Sequence, residues 1–278
     1  MIYLISAVLC SSAISIIMRL SSERVKARLS MLAANYFVCS LLGAGYTRFE
    51  LLCPDVPGFS LTVWLGLISG VLFLGGFIFL QDNTRKNGVV LTSIFMKLGL
   101  LVPVTMSVLF FGEKPDMMQV AGFVLALVAI LLINAKKDAQ AKGFRAGLIL
   151  LLLFGGGSDA MSKVYEYLGN EALSGQFLFY TFLTALVLCL ALIMLKKERP
   201  GFADLMFGAI IGVPNFFTSK FLLASLGYLP AVVVYPSFCV ATMMIVTLTG
   251  VLFFKERLSK LQWLAFVLVL VSLALLNT

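Results

Sequence analysis

Apolar residues run through this chain in ten long stretches, roughly 2–20, 29–47, 61–81, 88–111, 117–134, 144–167, 172–195, 203–228, 230–254 and 260–277. A helix needs about 20 mainly apolar residues to cross the hydrocarbon core of a bilayer, and each stretch comes close to that length. The gaps are short and hold breakers or charges: Ser21-Ser22-Glu23-Arg24, Cys53-Pro54-Asp55-Val56-Pro57, Asp82-Asn83-Thr84-Arg85-Lys86 and Lys196-Lys197-Glu198-Arg199-Pro200. Lipid offers nothing to backbone N–H and C=O groups, so each stretch must close its own hydrogen bonds as a helix. The polar–apolar alternation of a membrane barrel strand is absent. The first stretch starts at Ile2 with no basic residue before it, and it reads as a retained membrane helix, not a cleaved signal peptide.

The pattern also repeats. Val108–Asn134 returns 143 positions later as Val251–Asn277, and 13 of the 27 aligned positions are identical without a gap. Matches of Leu and Val follow from composition alone. The polar matches Glu113/Glu256, Gln119/Gln262 and Asn134/Asn277 do not, and they identify an internal duplication. The predicted organisation is a first five-helix repeat over 1–134, a basic cytoplasmic connector over 135–145 with Lys136, Lys137, Lys142 and Arg145, and a second five-helix repeat over 146–278. Five is odd, so the second repeat must enter the membrane upside down. The expected fold class is all-α integral membrane, with ten transmembrane helices as two inverted five-helix repeats.

Charge sets the expected orientation. Only 12% of the 278 residues are charged against 61% hydrophobic, where a soluble domain carries about 25% charged residues. Fifteen Lys and Arg residues fall in the gaps that follow odd-numbered stretches, whereas the other gaps hold only Arg48 and Lys114. Basic loops stay on the cytoplasmic side, so both termini are expected outside, in a bacterial cytoplasmic (inner) membrane. Placed this way, the net charge of +8 is a topology signal and calls for no nucleic acid. The five cysteines have no C-x-x-C spacing, which argues against a zinc site or a disulfide framework. Histidine, the commonest general base and metal ligand, is missing altogether. Gly155-Gly156-Gly157 lacks the spacing of a phosphate loop, so nothing points to ATP-driven pumping, a metal or a cofactor.

A charge deep in an apolar helix costs a few kcal/mol and is usually tied to function. Lys97 lies ten residues into the fourth stretch, too deep for its stem to reach either interface comfortably. Lys220 lies in the eighth, just after Pro214 and Asn215. In the sixth, Asp159 and Lys163 are four apart and share a face, where they can pair. Pro103 and Pro236 sit in corresponding helices of the two halves, though not at aligned positions. Paired breaks point to a midplane binding site, with ordinary packing kinks as the alternative. Tyr235, Asn215, Asn35 and Gln176 complete the candidate lining, although an amide can equally bond a neighbouring helix.

The recurring Phe-x-Glu-[Lys/Arg] that closes the fourth and ninth helices (Phe111–Lys114 and Phe254–Arg257), followed by Gln119 or Gln262 and preceded by Leu101-Val102-Pro103-Val104, resembles the drug/metabolite transporter superfamily in its EamA-like branch. The resemblance covers the whole chain. It implies two inverted five-helix bundles around a central cavity lined by helices 1–4 and 6–9, with helices 5 and 10 at the periphery. It also implies transport of small metabolites, often outward, and structural, loop-end roles for Glu113 and Glu256. The second repeat departs from the first in having Val246 at the position aligned with Pro103.

The leading expectation is a secondary transporter working by alternating access. Its small-molecule substrate carries a carboxylate or other anionic group, such as an amino acid or organic acid. Lys97 and Lys220 would offer positive charge, and Asp159 would take an amine or a coupling proton. The alternative is a proton-coupled exporter of cationic drugs or amines that works through Asp159. A channel, or a membrane-embedded lipid-modifying enzyme with interfacial polar clusters, fits these short gaps less well.

Overall fold

The computed structural model describes residues 1–21, 24–87, 89–134, 146–254 and 260–276. The basic connector 135–145, Glu256 with the residues around it, and Asn277 lie outside the described residues, as does the side chain of Gln262. Among the described residues the chain is helical and contains no strand. The helices are α1 (Ile2–Ser21), α2 (Arg28–Tyr46), α3 (Phe59–Asn87), α4 (Val89–Leu98), α5 (Leu101–Phe110), α6 (Met117–Asn134), α7 (Ala146–Leu168), α8 (Ser174–Lys196), α9 (Phe202–Leu226), α10 (Ala231–Phe254) and α11 (Lys260–Leu276). Among the described residues, seven helices are long and apolar enough to cross a membrane, and shorter apolar segments cover Phe95–Phe110, Met117–Leu132 and Val267–Leu276.

Two elements differ from the sequence pattern. The fourth stretch is expected as one helix over 88–111 but forms two, α4 and α5, parted at Gly99-Leu100. Pro103 has no N–H to give to the Gly99 carbonyl four residues back, which removes the α-type hydrogen bond at that turn. The Val102 N–H takes that carbonyl instead at 2.9 Å, a tighter three-residue turn. Pro236, in the corresponding helix of the other half, lies inside a continuous α10. The two prolines are therefore not a matched pair of breaks. The second difference is α3, which runs on through Asp82–Asn87, expected as a gap. Its polar residues are satisfied along the helix: Lys86 pairs with Asp82 at 2.8 Å, and the Asn83 amide donates to Phe79 O and to Gly147 O on α7, each at 2.8 Å.

The chain divides into two compact units, Met1–Leu74 with Val164–Ala224, and Gly75–Lys163 with Ser225–Thr278. Each draws helices from both halves of the sequence. In the first, α2 packs along α8 in the opposite sense. Gly43, late in α2, lies against Phe179, early in α8, while the Cys189 thiol near the end of α8 donates to Leu29 O at the start of α2. In the second, α6 packs along α11, and Gly122 near the start of α6 meets Ser272 and Leu276 near the end of α11. These helix pairs occupy equivalent places in the two repeats. Their antiparallel pairing is what repeats of opposite sense require.

Carboxylates close the open helix starts. An α-helix leaves its first N–H groups without partners and attracts negative charge there. At α2, Glu198 accepts from the Ser30 N–H and hydroxyl, both at 2.9 Å. Asp204 accepts from the Lys26 and Ala27 N–H groups just before α2, at 2.8 and 3.2 Å. At α10, Glu113 accepts from the Ala231 N–H at 2.9 Å and the Val232 N–H at 3.4 Å.

Candidate functional site

The second unit builds its charged cluster on a close backbone approach. Gly156 of α7 lies so near the α4–α5 break that a methyl group there would overlap the Gly99 carbonyl. A Cβ on Gly99 would in turn lie 3.1 Å from the Gly156 backbone nitrogen. One turn after Gly156 comes Asp159, and two residues before Gly99 comes Lys97. The glycine contact therefore brings two charges from distant parts of the sequence to one level, where Lys97 acts on Asp159 through space. Asp159 lies deep in the protein, yet both it and Lys97 keep part of their surface accessible.

Helix α10 closes the cluster. The Tyr235 hydroxyl donates to the Asp159 backbone carbonyl at 2.6 Å and ties α10 to α7. One turn further along α10, the buried Cys239 thiol sits in the field of both Lys97 and Asp159. Thr242 follows on the same face, 4% exposed, with no hydrogen-bond partner for its hydroxyl among the described residues. A helix spacing of four and then three residues from Tyr235 marks that face in the sequence, but threonine and cysteine look like ordinary packing residues until a charge is known to face them.

Lys163 forms an ion pair with Glu113 at 2.9 Å. Burial alone would raise the Glu113 pKa. The Ala231 N–H and the Lys163 ammonium more than offset that and hold the carboxyl below its ordinary value.

The other candidate residues lie in the first unit. The Asn215 amide donates to Asn35 Oδ1 at 3.1 Å, and that oxygen also receives the Cys39 thiol at 3.4 Å. These groups join α2 to α9 as a polar seam. The Lys220 ammonium lies 3.7 Å from the centre of the Tyr46 ring, a cation–π contact. The Gln176 amide donates to Glu50 O at 2.9 Å and approaches Cys53 Sγ at 3.5 Å, which pins the connector between α2 and α3. Of the seven candidates, Lys97, Asp159 and Tyr235 come together; Asn35 pairs with Asn215, and Lys220 and Gln176 each make contacts of their own.

Comparison with known proteins agrees with this architecture. The model of the EamA-like transporter family matches twice, over residues 1–135 and 145–278, one match to each half of the duplication. An uncharacterised protein of Haemophilus influenzae is 27% identical over 279 residues, covering 95% of this chain and 93% of its own length. A protein of known crystal structure superposes with a TM-score of 0.73 over 99% of this chain and 94% of its own, at 17% identity, a likeness of fold alone. Matched in both of its halves, this integral membrane protein belongs to the EamA-like transporter family, whose members are transporters of the drug/metabolite type.

Proposed function

We propose that this protein is a secondary transporter that moves a small polar metabolite with a carboxylate or other anionic group, of the amino acid or organic acid class, out of the cell by alternating access. The reading rests on two inverted repeats, 1–134 and 146–278, joined by the basic connector 135–145. It places both termini outside a bacterial cytoplasmic membrane. The observation that carries it is the Gly99–Gly156 approach, which sets Lys97 and Asp159 near enough to interact through space. Two opposite charges held near each other within apolar helices, with accessible surface left on both, suit a ligand that carries charge of its own.

In this scheme the Lys97 ammonium holds the substrate carboxylate and Asp159 takes an ammonium group where the substrate has one. Tyr235 holds α7 against α10 and so fixes the Asp159 backbone. A zwitterion would replace one neutral arrangement by another, which keeps the cost of unpaired charge low throughout the cycle. The test is transport in proteoliposomes over a panel of amino acids, organic acids and amines, with Lys97→Met and Asp159→Asn. Lys97→Met should abolish carriage of the anion. Full activity in that variant would end the proposal.

Export of amines coupled to a proton is the second reading. It is favoured by Asp159 interacting with Lys97 through space, a carboxylate that is not locked into a contact pair. In that case Asp159→Asn alone would abolish transport, and uptake would follow an imposed pH gradient.

A further inference from the structure

The α10 face that carries Tyr235 holds a buried hydroxyl, that of Thr242, with no hydrogen-bond partner among the described residues. Successive residues of an α-helix turn by about 100°, so Cys239 lies about 40° and Thr242 about 20° from Tyr235 around the axis. Tyr235 reaches Asp159, and Cys239 sits in the field of both charges, so this face is turned to the cluster. Ser237, the other buried α10 hydroxyl without a partner among the described residues, points about 160° away from Tyr235. Several buried helix hydroxyls return to the carbonyl three or four residues back, as Ser12, Ser40 and Thr181 do at 2.7 to 2.8 Å. Thr242 does not. It sits at the middle of the span Ala231–Phe253, about 4.5 Å along the axis from Cys239.

A buried hydroxyl without a partner is costly, and it discriminates strongly between ligands that can satisfy it and ligands that cannot. We infer that Thr242 is a specificity-determining residue of this transporter, and that the substrate carries a second hydrogen-bonding group, such as a hydroxyl or amide, about one helical turn from its charged head. This inference rests on the Lys97–Asp159 cluster being the substrate site. A substrate with a purely hydrocarbon tail would leave the Thr242 hydroxyl unpaired and is disfavoured. Cys239, between the two levels, lies beside the bound molecule.

The experiment compares paired substrates that differ by one hydroxyl, tyrosine with phenylalanine, homoserine with 2-aminobutyrate and malate with succinate, in proteoliposomes. The wild type should favour the hydroxylated member of a carried pair by roughly tenfold in kcat/KM. Thr242→Val, nearly equal in volume, should bring that ratio close to one, chiefly by improving transport of the member without the hydroxyl. It should also melt no lower than the wild type, since it removes an unpaired polar group. Thr242→Ser, which keeps the hydroxyl, should retain the preference and checks that the valine result is not a packing effect. An unchanged ratio in Thr242→Val while Lys97→Met abolishes transport would overturn the inference and leave the site standing. Undiminished transport in both Lys97→Met and Asp159→Asn would overturn the site itself. Failure to carry any of the pairs would exclude the proposed substrate class.

Discussion

The Lys163 ammonium meets the Glu113 carboxylate at 2.9 Å, past the Asp159 that precedes it by one turn on α7. The same carboxylate accepts from the first N–H groups of α10. One residue thereby ties the second half of α7 to the start of α10. Both side chains of the pair are largely buried, at 8% and 13% exposure. Removing one partner strands the other, at a cost of about 3 kcal/mol. Glu113→Gln should lower stability by that order in detergent thermal melts, and Glu113→Ala by more because the cap is lost too.

The depressed Glu113 pKa gives this pair a direction with pH. A carboxyl whose folded pKa lies below its unfolded value, about 4.3, adds stability above that value and loses it as the pH falls through the folded pKa. Wild-type melting temperature should therefore drop on acidification below about pH 4 by more than that of Glu113→Gln. Parallel acid limbs in the two proteins would contradict the assignment.

Gly156 and Gly155 separate backbone contact from glycine content. A methyl on Gly156 overlaps the Gly99 carbonyl, whereas one on Gly155 meets nothing within 4 Å. Gly156→Ala should push α7 off the α4–α5 break, part Lys97 from Asp159 and cost about 1–3 kcal/mol. Gly155→Ala should be near neutral. Melting temperature and transport measured together should fall for the first substitution and hold for the second.

Lys220 offers a comparison with Lys97. Its ammonium is engaged by the Tyr46 ring, a contact worth about 0.5–2 kcal/mol. Lys220→Met should reduce stability modestly and leave transport far less affected than Lys97→Met. Loss of transport equal to that of Lys97→Met would instead bring Lys220 into the substrate site.

Asn215→Leu tests the seam between α2 and α9. The amide hydrogen bond to Asn35 joins two helices, where such bonds contribute about 0.6 kcal/mol on average. A small loss of stability with unchanged substrate preference is expected. A changed preference would place the seam in contact with substrate.

The helices were legible because lipid makes apolar length and helical structure nearly the same property. The stretches at 117–134 and 230–254 return as Met117–Asn134 and Ala231–Phe254. Where the chain departs from that rule, a specific group decides. Pro103 withholds one N–H and divides a helix, while Asp82, Asn83 and Lys86 bond along α3 and prolong one. Lys97 and Asp159 stood out as charges in apolar surroundings. Their facing each other depends on the Gly99–Gly156 approach, which joins residues far apart in sequence. The partner of Lys163 was hidden for a similar reason. Asp159 is the acid one turn before it on α7, but Glu113, distant in sequence, pairs with Lys163 and also holds the α10 start.

The pairing of α2 with α8 bears on how the protein is made. The hydrogen bond from Cys189 to Leu29 joins residues 160 apart. While the ribosome is still building the second half, α2 waits in the bilayer with Ser30 and Asn35 lacking the partners that Glu198 and Asn215 later supply. A nascent chain halted before α8 would therefore expose polar helix surface to lipid and become a target for membrane quality-control proteases, whereas co-expressing the missing second half should rescue it.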